Sequence, residues 1–135
     1  MLAEKLRKAR NARVASAAAW ALGMSGNRAA VRHLLMYLQR PNADPLVRGH
    51  VCEALGVLGS SAAVPLLLDQ LRDTVPDVRY WAVYALGALQ ADSALPILQQ
   101  MARSDRGMVV GHGSVRAEAK WAIQQIRRRS TPRLR

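Results

Sequence analysis

Valine recurs at positions 14, 47, 78 and 115, each time opening a similar stretch: "VASAAAWALGMSG", "VRGHVCEALGVLG", "VRYWAVYALGALQ" and "VRAEAKWAIQQI". The anchors lie 33, 31 and 37 residues apart. A repeat of that period constrains the fold more tightly than composition does. A unit of this size cannot bury its apolar face alone, so it must stack on its neighbours. The last three copies keep Val-Arg at the start, where the first has Ala15, and the first three keep Ala-Leu-Gly seven residues on.

A second pattern falls between the anchors: "AAVRHLLMYLQ" (29–39), "AAVPLLLDQLR" (62–72) and "SALPILQQMAR" (93–103). Leu and Ile at spacings of three and four give each an apolar stripe of helical pitch, so each unit is a pair of helices. Pro65 and Pro96 stand near the starts of the first helices, and Pro45 and Pro76 open the second, where a missing N–H costs little. Asp44, Thr74 and Asp77 are candidate caps in the turns within a pair. The glycine of Ala-Leu-Gly is read as a helix end able to turn left-handed. In the first unit only "MLAEKLRKA" remains before the anchor. It is read as a shortened first helix, one long helix over 2–22 being the alternative.

These motifs resemble HEAT repeats of the phycobilisome-lyase type, whose pattern runs Asp-Pro-x-Val-Arg, Ala-Leu-Gly, Ala-Val-Pro-x-Leu; here it reads "DPLVR", "ALGVLG", "AAVPLL", then "PDVR", "ALGAL", "ALPIL". The resemblance covers about residues 14–126. It implies an all-α, right-handed α-α superhelix of about four helix pairs, seven to eight helices in all. A single domain over 1–129 is expected, with units near 1–26, 27–59, 60–90 and 91–129. Residues 104–114, "SDRGMVVGHGS", form a glycine-containing loop insertion, and 130–135 a basic disordered tail.

The formal charge of +11 is unevenly placed. Residues 1–13 carry five bases against Glu4 and residues 127–135 carry five unopposed, so the two ends hold +9 of it. The middle is nearly neutral, which argues against a uniformly basic groove. Cys52 is the one cysteine. It excludes an intramolecular disulfide and a multi-cysteine zinc site, and it fits a reducing cytoplasm. No apolar run is long enough to span a membrane. The basic start before "VASAAAWALGM" imitates a secretory signal, but those residues also satisfy the repeat.

Stepping about 100° per residue from each valine, positions +4, +7, +8 and +11 form the buried stripe. Positions +2, +3 and +6 fall at about 200°, 300° and 240°, away from it. The resemblance implies that second helices line the concave side of the superhelix. The inward rows then hold Ser16, Ala17 and Trp20; Gly49, His50 and Glu53; Tyr80, Trp81 and Tyr84; Ala117, Glu118 and Trp121. All three tryptophans and two of three tyrosines lie there. Such rings are enriched among interface hot spots, and the leading expectation is a non-catalytic module binding a protein or peptide. Packing of Trp20, Trp81 and Trp121 against neighbouring pairs is the alternative, since +3 is only about 60° from the stripe.

Arg48, Arg79 and Arg116, at +1, are expected to form an internal ladder with Asp44, Asp77, neighbouring carboxylates or helix ends. Cys52 reads as a small apolar side chain. His50 and Glu53 are only two ligands, His33 and His112 belong to other elements, and the adjacent His-Glu pairs of iron-binding HEAT-repeat hydroxylases are absent, so neither metal nor cofactor is expected. Three further readings stay open: nucleic-acid binding through the arginine-rich ends with aromatic stacking, a HEAT-like DNA glycosylase using Glu118 with Trp81 and Trp121, and a fragment of a chromophore-lyase subunit. Dimerisation through the N-terminal unit is open as well.

Overall fold

The computed structural model describes residues 2–9 and 11–130. The tail read as disordered from 130 lies outside them from residue 131 onward. Eight α-helices occur among the described residues: α1 (Leu2–Lys8), α2 (Ala12–Met24), α3 (Ala30–Leu38), α4 (Pro45–Leu58), α5 (Val64–Gln70), α6 (Pro76–Ala88), α7 (Leu95–Ser104) and α8 (Val115–Ser130). They pair as α1/α2, α3/α4, α5/α6 and α7/α8, and the second helices stack in the order α2, α4, α6, α8. The fold is therefore an all-α solenoid of stacked helix pairs. None of these helices is long and apolar enough to cross a membrane.

Local chemistry sets the boundaries. Asn11 caps α2 by accepting from the Arg13 N–H at 2.7 Å, and Asp44 caps α4 by accepting from Leu46 N–H at 2.9 Å, with Pro45 in the first turn. At α6 the capping residue is Val75, and Asp73 accepts the Val75 N–H at 2.9 Å. Neither Thr74 nor Asp77 serves as that cap; Asp77 lies inside the first turn of α6, where its charge opposes the helix dipole favourably. Residues 2–22 form two helices, the shortened first helix and α2, with Leu6 of α1 buried at its core end.

The stripe counted from the valines is the core. Val47, Val51, Leu55, Val78, Ala82, Leu86, Val115 and Ile126 are sealed from solvent. Val14 departs from the pattern at 47% exposed. With Leu2, Lys5, Arg13, Ala17 and Ala21 it lines an open depression on the outer side of α1 and α2.

The Ala-Leu-Gly glycines do something other than end helices. Gly23, Gly56 and Gly87 lie within α2, α4 and α6 and are buried. A Cβ on each would come within 2.8, 2.9 and 2.7 Å of the Cα of Ala54, Ala85 and Ala122 on the next second helix. They are notches for helix approach, and the left-handed turn comes three residues later. Gly26 and Gly59 make it at φ 67° and 75°, and Gln90 makes it at φ 52°. Gln90 is tied across the stack, its Nε2 donating to the Gln125 carbonyl at 2.9 Å while its own carbonyl accepts from Arg129 at 3.2 Å.

The arginine ladder exists with different acids. Arg48 Nη2 meets Asp73 Oδ2 at 2.6 Å, and Arg79 grips Asp105 through Nε and Nη2, both at 2.9 Å. Each also donates to a carbonyl of its own turn, Arg48 to Ala43 and Arg79 to Asp73 and Thr74. Arg116 is exposed and, among the described residues, approaches the Ala102 carbonyl at 3.4 Å. Asp44 and Asp77 are not the partners: the first is committed to its cap, and the second sits two residues before Arg79, on another side of the helix. Arg48 and Arg79 thus each clamp their own unit to the next.

The insertion read as a glycine-rich loop contains a two-stranded antiparallel ladder, β1 (Met108–Val109) with β2 (Gly113–Ser114). Arg79 secures its root. The Gly107 N–H donates to Asp105 at 2.8 Å, and the Gly107 carbonyl accepts from Val115 N–H at 3.0 Å, where α8 begins.

Two measurements check this account. Gly56→Ala should lower stability in urea unfolding by about 1–3 kcal/mol, the cost of overpacking a tight contact. Burial alone would raise the Asp105 carboxyl, but hydrogen bonds from Arg79 and Gly107 outweigh it and hold the group below its ordinary value. A depressed carboxylate stabilises the fold above its unfolded pKa, and the gain is lost as pH falls through the folded value. Asp105→Asn should therefore cost about 1–2 kcal/mol at pH 7, and the deficit should shrink below about pH 4.

Candidate functional site

The first helices pack on one side of the layer formed by α2, α4, α6 and α8. The opposite side of that layer is the candidate surface. Its residues come from equivalent positions in successive units: Trp20, Glu53, Tyr84 and Trp121 stand at +6, and Ala17, His50, Trp81 and Glu118 at +3.

Why these large rings fit between closely stacked helices follows from the glycines. The position of a Cβ on Gly49 lies 3.2 Å from Trp81 Cδ1, on Gly56 3.1 Å from Tyr84 Cε2, and on Gly87 2.9 Å from Trp121 Cζ3. Each ring leans over bare backbone on the preceding helix. Packing and exposure are therefore both properties of the same ring, and Trp81, Tyr84 and Trp121 are half-buried. Trp20 is 52% exposed. It borders a small cleft between α2 and α4 with Met24, Glu53 and Val57.

The rings also hold one another. Tyr84 stacks on Trp121 with centroids 5.7 Å apart and planes 7° from parallel; Trp81 meets Tyr80 and Tyr84 edge-on at 5.1 and 5.6 Å. Such pairs add about 0.5–1.5 kcal/mol beyond area burial. Tyr80, at +2, is 8% exposed, and Ser16 and Gly49 in the same row are buried as well. The +2 row, expected on the inner surface, is thus covered on α2, α4 and α6, where at about 200° it faces the adjoining second helix, whereas Ala117 on α8 is exposed.

Two carboxylates stand among the rings. Burial raises the Glu118 carboxyl above its ordinary value, opposed by the Tyr80 hydroxyl and by His112. Burial and the nearby Glu53 and Glu118 charges together raise the Tyr84 phenol, which places it between the two acids. His50 Nδ1 lies 3.5 Å from Glu53 Oε1.

His112 is the residue that sequence reasoning missed. It comes from the hairpin insertion, and its ring lies 5.0 Å from Trp81 and 5.6 Å from Tyr80. The sequence signal was the extra length of the last repeat, without any indication of where the extra residues fold back. Cys52 is fully buried and its thiol is pushed up to about 12, chiefly by burial, so it is no nucleophile. Among the described residues no three of His, Cys, Asp and Glu gather as metal ligands. His33 borders a different depression, between α1 and α3.

Residues 33–117 match the HEAT repeats family, and residues 14–40 match the PBS lyase HEAT-like repeat. No curated protein matches the chain significantly. With a match over more than half its length and a stack of helix pairs to accompany it, the chain belongs to the HEAT-repeat family.

Proposed function

We propose that this protein is a non-catalytic scaffold that binds a protein or peptide segment on the aromatic face of its second helices. HEAT repeats commonly serve as protein-interaction scaffolds, and a solenoid offers an extended surface because successive units present equivalent positions side by side. The observation that carries the reading is the arrangement of Trp20, Trp81, Tyr84 and Trp121. Trp81, Tyr84 and Trp121, supported from below by glycines and from the side by one another, present partly open surface on the face that Trp20 extends. Rings fixed in this way lose little rotameric freedom when a partner arrives. His50, Glu53 and Glu118 would set the polarity of the contact. Copies would pair through the other exposed apolar region, the depression around Leu2, Val14 and Ala17.

Glu118 supports the same conclusion from stability. A carboxyl whose folded value is raised by burial stabilises the fold only while protonated; that contribution is complete below the unfolded value and is lost as pH rises through the folded one. At neutral pH the charge is held where solvation is poor, a cost that a surface built only for packing has no reason to carry.

Two experiments follow. An affinity capture from lysate should recover partners with the wild type and lose them with Trp20→Ala and Trp81→Ala. Trp20 covers no glycine, so its removal should leave the thermal midpoint nearly unchanged; an identical set of partners from both variants would refute the reading. Separately, Glu118→Gln should unfold at a higher temperature than the wild type near pH 7, and the two should converge below about pH 4.

A further inference from the structure

The aromatic face differs in charge from the rest of the molecule. The sequence has 20 lysines and arginines against 9 acids. Yet the +3, +6 and +10 positions of the four second helices contain none of those bases and two of the acids, Glu53 and Glu118; the bases at similar angles, Arg13 and Arg128, stand at the outer ends of α2 and α8. Arg48 and Arg79, on α4 and α6, are turned to Asp73 and Asp105, and Arg116 and Lys120, two residues either side of Glu118, lie on other sides of α8. Glu118 has the Tyr80 hydroxyl and His112 for neighbours, and Glu53 has His50. Among the described residues neither acid forms a salt bridge with lysine or arginine. In a chain with a twofold excess of bases, two acids without such partners among electron-rich rings form a surface complementary to a cation.

Resting on the peptide-binding reading above, we propose that this face recognises an extended peptide segment bearing lysine or arginine, one side chain lying against the rings beside Glu118 and a second beside Glu53. Rings and carboxylates cooperate in such recognition: the face of an indole or phenol attracts a cation through its quadrupole, and a half-desolvated carboxylate attracts it more strongly than a solvated one.

The repeat also fixes a spacing. Glu53 is on α4 and Glu118 on α8, two helices along the stack. Packed helices lie about 8–10 Å apart, so the two acids are separated by roughly 16–20 Å across the stack. An extended chain advances about 3.3 Å per residue and returns a side chain to the same face every second residue. The matching ligand therefore carries its two cations about six residues apart, with small or apolar residues between them to lie over Tyr84 and Trp81.

The test is calorimetric titration of the full chain with synthetic peptides. The main probe has arginine at its first and seventh positions and alternating alanine and leucine between; a second has glutamine in place of both arginines, and a third brings the arginines three positions apart. The expected result is that the main probe binds about tenfold or more tightly than either. The double variant Glu53→Gln, Glu118→Gln should remove that preference, and Trp81→Ala should weaken every peptide. Because Glu118→Gln is expected to raise stability, its loss of binding cannot be attributed to misfolding. Equal binding of the arginine and glutamine probes, both weakened by Trp81→Ala, would overturn the cation assignment and leave a peptide-binding face. Failure of all three probes, or binding indifferent to Trp20→Ala and Trp81→Ala, would overturn both readings. A labelled single-stranded oligonucleotide whose binding is lost with Trp81→Ala would assign the face to nucleic acid, and self-association abolished by the glutamate variants would assign it to a second copy; either result removes the peptide proposal.

Discussion

Close approach of the second helices depends on three glycines meeting three alanines: Gly23 against Ala54, Gly56 against Ala85 and Gly87 against Ala122. No larger side chain could occupy either position without pushing the helices apart, and the shift would pass along the stack, since each helix contacts both neighbours. The leucines and valines supply most of the buried apolar area, but area alone would tolerate many spacings. The glycine notch selects one. It also explains why the motif repeats as Ala-Leu-Gly: the leucine fills the core, the alanine meets the preceding helix, and the glycine admits the following one.

The same notch makes room for the aromatic face. Were Gly56 and Gly87 ordinary residues, Tyr84 and Trp121 would have to swing outward, and their parallel stack would be lost. Ring orientation is therefore an outcome of backbone spacing. The arginine ladder acts on the other side of the second helices' first turns, where Arg48 and Arg79 tie each unit to the turn of the next. Between the two constraints, neighbouring units are held at both ends of the helix, and the surface they share behaves as one piece. At its last unit the hairpin, rooted by the Arg79–Asp105 pair, brings His112 against Trp81.

Most of this architecture was legible in the sequence because a solenoid is periodic and period is what sequence displays directly. The pairing of helices, the buried stripe, Asp44 as a cap and the shortened first helix all follow from residues recurring in register. What could not be read lies where the register breaks or where two units meet. The role of the Ala-Leu-Gly glycines depends on the neighbouring helix rather than on the local turn. The acids of the ladder are set by reach between units: Asp73 and Asp105 lie in the turns of the next pairs, 25 and 26 residues after their arginines. The candidate face was legible at +3 and +6 and not at +2, because an angular count treats the helix as isolated and cannot say how far the next one overlaps it.

The contrast between the two acids that hold the ladder and the two on the aromatic face bears on how such a protein gains function without losing its fold. Asp105 is shielded yet held below its ordinary value by the arginine that grips it, so its charge strengthens the stack at neutral pH. Glu118 is half-buried with no such partner, so its charge weakens it. Stability alone would favour exchanging Glu118 for an amide or placing an arginine beside it, and a chain this rich in arginine had ample means to do so. An acid left in the less stable arrangement on the face with the most exposed aromatic surface is understandable if the missing cation arrives with the ligand. Binding then removes a cost already present in the free protein, and this adds to affinity without requiring any rearrangement of the helices.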